Sequence, residues 1–505
     1  MSSVLILKVV LLLSSLLLFK WFVARRGRSA SYPPGPKGYP LIGNLLDMPT
    51  VFPWLDFAKW RETYGDIISV NVLGQRIVIL NSAKQAADML DKKSNIYSDR
   101  PVLQMGGELV GWNLAMGMSP YADRFREYRR FMHRSIGTRK SVESYHDLIA
   151  EETSKFLRRV STGKEEISVE IRKNIGAIIL KLAYGYTIKE DSDPIVKLVN
   201  EAMDTISTST TPGAWLVDYL PFLRHVPSWF PGAGFKRTAA AMNKVMLSMA
   251  DEPFEFVKQR MSENTNVPNF TSELLETETL GPDNEFHIKW AAASLYAGGA
   301  DTTVAALHYF VLAMTLYPDV QKRAQAEIER VVGTDRLPTL DDREHLPFVE
   351  AVLRETMRWS SGVALTLPHR LMEDDIHNGY FLPSGTIVYA NLWCILHDPE
   401  NYPNPFEFNP DRFMGESTAP DPYDFCFGYG RRRCPGIELA DAMMFQTSAC
   451  LLATFNIGKV VENGKVVEPV VEYVSGAVTH PKPFRCSIMP RSAKTEELLQ
   501  VDDQN

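Results

Sequence analysis

Phe427-Gly428-Tyr429-Gly430-Arg431-Arg432-Arg433-Cys434-Pro435-Gly436 is the stretch whose reading decides the fold. A cysteine closes a run of glycines and arginines. Gly428 and Gly430 permit backbone turns that side chains block. Arg431, Arg432 and Arg433 put positive charge beside the thiol, which favours the thiolate, the form that binds metal. Pro435 and Gly436 end the run just past the sulfur. One thiolate in an electropositive loop suits a single axial ligand of a haem iron. A lone cysteine is more often a buried free thiol, so the loop by itself leaves both readings open.

Around this loop lies a chain of 505 residues, 45% hydrophobic and 23% charged, an ordinary globular composition with material for a large core. It shows no internal repeat and no long Gly/Ser linker. A net charge of -7 argues against general nucleic-acid binding. The five cysteines are Cys394, Cys426, Cys434, Cys450 and Cys486. An odd count without close pairing is no disulfide framework and points to a reducing compartment. No Cys-x-x-Cys or His-Glu-x-x-His zinc pattern is present.

Upstream of the loop, Trp290 to Tyr317 contains no proline and is mostly apolar, predicting a helix of roughly 40 Å at 1.5 Å per residue. A membrane span is the naive reading. Gly298-Gly299-Ala300-Asp301-Thr302-Thr303 in its middle argues against that, because an acid and two hydroxyls are costly in lipid. Thr302 can bond a carbonyl one turn back and open a polar notch. Glu355 and Arg358 stand one turn apart on a second predicted helix, with Arg412 downstream. Taken alone they are a surface pair worth a few tenths of a kcal/mol. Asp66 to Leu80 alternates around Gly74-Gln75 and predicts a β-hairpin. Residues 99 to 118 read as an irregular loop, and Ile437 to Leu452 as a helix.

At the N-terminus, Val4 to Val23 is apolar apart from Lys8 and Lys20, and Arg25, Arg26 and Arg28 follow. A spanning helix needs about 20 residues, and the arginines place the remainder of the chain in the cytosol. A cleaved signal peptide is the competing reading, but no small-x-small cleavage site precedes the arginines. Pro33-Pro34-Gly35-Pro36-Lys37-Gly38-Tyr39-Pro40 reads as a stiff linker. The domain boundaries follow: 1–28 an anchor, 29–45 a proline-rich hinge, 46–490 a catalytic domain, and 491–505 a polar tail expected to be disordered. With this topology the sequon Asn269-Phe270-Thr271 is unused.

Phe427-x-x-Gly430-x-Arg432-x-Cys434-x-Gly436 resembles the haem-ligand loop of the cytochrome P450 monooxygenases, with all five fixed positions matched. Gly298-Gly299-x-Asp301-Thr302, 132 residues before Cys434, resembles the family's oxygen-activating motif. Glu355-x-x-Arg358 with Arg412 resembles its buried acid–base triad. The resemblance implies a mainly α fold with a small β-rich subdomain, the cytochrome P450 fold, carried on a single-pass membrane anchor. It implies haem b with Cys434 as axial ligand, in a loop that also includes Phe427, Arg432 and Gly436, and a structural role for Glu355, Arg358 and Arg412. It implies propionate contacts from Arg129, Arg432 and His369, although an isolated histidine is more often a satisfied polar residue. Thr302 then hydrogen-bonds dioxygen or its water, and Asp301 relays protons from solvent. Ser360 to Leu367 lines the pocket. Residues 205 to 232 are either a lid dipped in the membrane or an unremarkable surface connection. The chain departs from the family at Phe125-x-x-x-Arg129, where the pattern has Trp-x-x-x-Arg, and Phe125 has no N–H to donate.

The implied activity is monooxygenation of an apolar small molecule, with electrons from NADPH through a separate NADPH-cytochrome reductase, because no flavin or nicotinamide fingerprint is present. Arg124, Arg126, Arg130, Arg431 and Arg433 are candidates for the surface that meets this acidic partner. The implied setting is the endoplasmic reticulum membrane, and the composition looks most like fungal members from secondary-metabolite pathways. A haem-thiolate isomerase, dehydratase or peroxygenase, and a non-catalytic haem sensor, are the alternatives. Intact Asp301 and Thr302 argue against both.

Overall fold

The computed structural model describes residues 30–500 except 190–192, 212, 280, 417, 475 and 477. The expected anchor, residues 1–28, lies outside these. Among the described residues no single helix is long and apolar enough to cross a membrane.

The hairpin forms as Ile67–Val72 and Gln75–Leu80, antiparallel with Ile67 opposite Leu80. Ile387–Ala390 adds in parallel to the second strand and His369–Arg370 closes the sheet antiparallel. These four strands make the largest sheet of the small β-rich part, and among the described residues four two-stranded ladders lie elsewhere. The proline-rich stretch does not stand off as a free linker. Pro34 O accepts from Ser69 N at 2.8 Å, Asn44 N donates to Asn71 O at 2.6 Å, and Ser31 O accepts from Phe381 N at 2.8 Å. Extended backbone leaves its carbonyls unpaired, and the neighbouring strands supply the donors.

The long helix runs Pro282–Leu316, starting earlier than the apolar run predicts. Pro282 occupies the first turn together with Asp283 and Glu285, which suit a helix N-terminus. Those first turns are polar because they face solvent, so hydropathy alone missed them. From Ile288 the helix is buried on nearly all sides, except around residues 297–302. It packs against Ile167–Tyr184. There a Cβ at Gly299 would lie 2.7 Å from Ile179 Cδ1, so any larger residue needs the end of the Ile179 side chain to move. After Tyr317 the chain turns through 105° into Pro318–Val332, because Pro318 cannot continue the ladder. This central helix is the spine of the main apolar core.

Two expected irregular regions are ordered. Within 99–118, Gln104–Leu109 forms a π-helical turn and Trp112–Leu114 a 3₁₀ turn. They are pinned from outside: Asp218 accepts from Met105 N at 2.9 Å, Asn243 donates to Val110 O at 2.7 Å, and Ser294 accepts from Met116 N at 2.8 Å. The tail is not disordered over its first part. Ala493–Gln500 is a helix whose Leu499 joins the main core, and the chain just before it is tied down by Arg491, whose N donates to Thr454 O at 2.9 Å and whose guanidinium pairs with Glu329. Asn269 is buried, caps the Phe270–Thr277 helix by accepting from Ser272 N, and donates to Val267 O. The folded chain therefore withholds this sequon.

Candidate active site

The cysteine loop is built as a tight turn between a one-turn helix, Tyr423–Cys426, and the helix Ile437–Thr454. Cys434 N donates to Phe427 O at 2.7 Å, which closes the loop on itself. Gly430 has φ 51°, and a Cβ there would lie 2.5 Å from Leu90 O. No other residue fits that position. Its N–H is taken by the Asp91 carboxylate. Phe427 is half-buried and meets Tyr423 edge-on at 5.2 Å. Burial pushes the Cys434 thiol up, while the Gly436 N–H, Arg129 and Arg433 pull the other way.

That electrostatic picture corrects the expected one. Of the three consecutive arginines only Arg433 acts on the sulfur. Arg431 donates to the Tyr121 hydroxyl at 2.8 Å. Arg432 is buried and donates to Ser98 O at 2.6 Å and Ser119 O at 2.8 Å. The other cysteines sit elsewhere. Cys394 lies beside Arg61 with its thiol pushed up to about 11 by burial. Cys450 is buried in the Ile437–Thr454 helix and pushed up to about 12 by the same cause.

Beside the loop is a cluster of buried cations whose partners are all neutral. Arg100 donates to Gly117 O at 2.9 Å, Leu367 O at 2.9 Å and Pro368 O at 2.7 Å. Arg129, half-buried, donates to Arg433 O. Arg432 lies over the Phe125 ring, its Cζ 3.8 Å from the ring centre, and its Nη1 has no hydrogen-bond partner. No carboxylate among the described residues is within ion-pair distance of these three guanidiniums. Burial pulls Arg100 well down with Arg432 adding to it, and pulls Arg432 down to about 10. Buried charge without a counter-charge is costly. A ligand carrying carboxylates removes that cost and fills the Nη1 valence, so these residues fit the two propionates of a haem.

His369 joins this cluster but not in the expected role. Its Nδ1 lies 2.7 Å from Tyr97 O, an acceptor only, so the one proton of the neutral ring is committed there. Burial, with the Arg100 charge beside it, pulls the ring down to about 3. The neutral ring has only Nε2, an acceptor, left over, so a bond from His369 to a propionate needs the second ring proton, which a carboxylate alongside favours. Arg100 has the charge for that work, although no motif in the sequence marks it. The only local signal was an arginine inside Ser98-Asp99-Arg100-Pro101. Asp99 offsets this charge only in part: it acts on Arg100 and Arg432 through space, while its oxygens are spent on Arg370 and on Tyr121 N at 2.9 Å.

On the central helix Thr302 Oγ1 donates to Gly298 O at 2.9 Å, the back-bond expected one turn away. A Cβ at Gly298 would meet nothing within 4 Å, so the helix is open at this turn. Asp301 is not simply open to solvent. Arg172 Nη1 lies 2.9 Å and His480 Nε2 3.2 Å from the same oxygen, Oδ1. Burial raises this carboxyl, but His480 and then Arg172 outweigh it and hold it at about 2. Its resting form is the carboxylate.

Behind the cysteine loop, the helix Pro347–Trp359 carries Glu355 and Arg358, both fully buried. Arg358 meets the carboxylate with Nε at 2.7 Å and Nη2 at 2.9 Å. Arg412 reaches the same group from Pro410–Phe413 at 3.2 Å, and Asn409 N donates to it at 2.7 Å. The triad is thus a buried structural tie and not a surface pair. The arginines proposed for an acidic partner are partly spent locally: Arg130 pairs with Glu127 and Glu278, and Arg126 with Asp123.

The chain was compared with known proteins. The family model described as Cytochrome P450 matches residues 33–488. Cytochrome P450 monooxygenase 208 of Postia placenta is 51% identical over 484 residues, covering 95% of this chain and 94% of that protein. Cytochrome P450 monooxygenase claR of Ampulloclitocybe clavipes is 48% identical over 505 residues, covering 99% and 93%. Cytochrome P450 monooxygenase ppsD of Aspergillus oryzae is 38% identical over 506 residues, covering 98% and 96%. Members of this family ligate haem iron through a cysteine, take electrons from a redox partner and act on small molecules. A half-buried cysteine turn, an uncompensated cationic cluster beside it and a notched helix now stand beside identities near one half over the full length, and this chain belongs to the cytochrome P450 family, as a haem-thiolate monooxygenase.

Proposed function

We propose that Cys434 is the axial ligand of the haem iron, and that Arg100, Arg129 and Arg432 hold the propionates. Thr302 and Asp301 would manage protons at the open turn of the central helix. The observation that carries this reading is the cluster of cations beside the Cys434 turn, with the unpartnered Nη1 of buried Arg432 among them. When bound, the haem supplies a redox-active iron that activates dioxygen. The protein's part is to place and protonate. Because Thr302 spends its hydroxyl proton on Gly298 O, it offers the pocket a lone pair. It therefore fixes a proton-donating water rather than donating itself. Asp301, kept ionised, is the acceptor through which that water is resupplied.

The substrate is an apolar small molecule, a reading supported by the aliphatic side chains of Val363, Leu365 and Leu367, in the run that resembles the family's pocket lining. NADPH-cytochrome reductase supplies the electrons. Residues 1–28 anchor the chain in the endoplasmic reticulum membrane with the catalytic domain cytosolic. Exposed Leu216, Phe222, Trp229 and Phe230 support a lid that dips into that membrane. The fungal origin of the relatives supports a place in fungal secondary metabolism.

The test is a set of single substitutions. Cys434→Ala loses the thiolate-type carbon monoxide band of the reduced protein, and Cys394→Ala, Cys426→Ala, Cys450→Ala and Cys486→Ala keep it. A band that survives Cys434→Ala overturns the assignment. Thr302→Ala still consumes NADPH but yields less product per NADPH and more hydrogen peroxide. Equal product per NADPH removes the helix from proton handling.

A further inference from the structure

Asp301 is enclosed by groups from three elements. Arg172 comes from the Ile167–Tyr184 helix, and His480 from the short strand His480–Pro481, which pairs with Tyr473–Val474. His308 lies two turns along Asp301's own helix, with its ring 5.7 Å from that of His480. Among the charged groups on the hairpin that carries His480, Lys482 and Glu472 pair with one another. The rim of the cluster is wet: the side chains of Arg172, His480 and Asp301 are 37%, 19% and 21% exposed.

These neighbours differ in one chemical respect, the ability to take up and release a proton. Arg172 is a guanidinium and keeps its protons at all working pH. His308 lies 3.3 Å from Ser168 O, which can only accept, so its Nε2–H is committed there. Burial, with the charge of His480 beside it, pulls His308 down to about 4, and it stays neutral. His480 alone combines partial exposure, contact with Asp301 Oδ1 and an imidazole, whose two ring nitrogens let it release a proton on one side and take one up on the other.

We infer that His480 is a positioning residue that passes protons from solvent to Asp301, and that Arg172 only holds the carboxylate in place. The inference rests on the proton-handling role proposed above for Asp301. In the step, the His480 Nε2–H bond breaks and an O–H bond forms on Asp301. The resulting acid gives its proton to the water fixed by Thr302. Neutral His480 then takes a proton from bulk water. One proton moves inward per cycle, and nothing is oxidised or reduced by the relay itself. His480 lies far along the chain from residue 301, in the C-terminal hairpin, so the proton entry depends on how that hairpin packs.

Three variants of the full-length holoenzyme test this, assayed with reductase for product per NADPH from neutral to alkaline pH. His480→Gln keeps an N–H donor for Asp301 but cannot carry a proton. It lowers coupling at least about tenfold, less than the about 10²–10⁴-fold typical of groups that exchange a proton with the reacting atoms themselves, and abolishes the decline of coupling with rising pH. Arg172→Gln keeps that decline. A second readout needs no turnover. Infrared spectra of protein labelled with [4-¹³C]aspartate, differenced against Asp301→Asn, follow the Asp301 carboxyl, whose titration rises from about 2 in His480→Gln. An unshifted carboxyl, or coupling and pH profile in His480→Gln equal to the parent while Asp301→Asn is uncoupled, overturns the role of His480. Parent-like coupling in Asp301→Asn overturns the reading beneath it instead.

Discussion

Removing the carboxylate of Glu355 is the sharpest test of how the ligand loop is supported. The group is fully buried and accepts four hydrogen bonds: two from Arg358, one from Arg412 and one from Asn409 N. Glu355→Leu leaves the Arg358 guanidinium, itself fully buried, without its counter-charge and leaves the Asn409 N–H unpaired. Breaking a buried pair from one side costs about 3–5 kcal/mol. Arg358 keeps its bonds to Leu396 O, Pro405 O and Glu407 O, which places the cost toward the lower figure. Each 1.4 kcal/mol is tenfold, so the folded-to-unfolded ratio falls by at least about two decades. Glu355→Leu with Arg358→Met removes both charges and recovers about half of that loss. Arg412 and Asn409 still lack their acceptor, so recovery is incomplete. Urea unfolding of the purified holoenzyme, read by tryptophan emission and by the haem absorbance, gives the double-mutant cycle. A single variant within about 1 kcal/mol of the parent, or a double variant no better than the single, would refute the claim that this tie is electrostatic.

Phe125→Ala removes the face on which Arg432 lies at 3.8 Å, and haem transfers to an excess of apomyoglobin at least several-fold faster. Phe125→Trp keeps the face and the slow transfer, and equal rates in all three proteins would count against the platform. Buried His308 and His397 are both pulled from 6.5 to about 4, chiefly by burial. Between those values the unfolded chain binds protons that the folded chain refuses. Stability therefore falls as pH drops through this window, by about 1.4 kcal/mol per unit for each ring. Urea midpoints at the two ends of that window, with His397→Gln flattening the slope, check the sign. Deleting residues 1–28 releases the protein from the membrane fraction more readily while haem binding persists. Retention after a high-salt wash would assign the anchoring to the exposed aromatics of the lid region.

What the sequence determined by itself was whatever depends on near neighbours along the chain. The turn at Phe427–Gly436, the hairpin at Gly74-Gln75, the Thr302 back-bond to Gly298 and the Glu355–Arg358 spacing each close within about a turn of backbone, so residue type and period suffice. Partners distant in sequence were decided by packing. Arg100 is drawn to the site by carbonyls at residues 117, 367 and 368. Phe125, legible only as a departure from a family pattern, becomes the platform for Arg432. Asp301 takes its partners from a helix before it and a strand long after it. His369 was found by resemblance, but its proton went to Tyr97, a partner that no pattern at residue 369 specifies. The tail around Leu499 looked too polar to order, yet it is helical, with Leu499 buried in the core and Arg491 tied to Thr454 and Glu329. A side chain's type limits the bonds it can make. Which of them it makes depends on what the chain topology brings within about 3 Å of it.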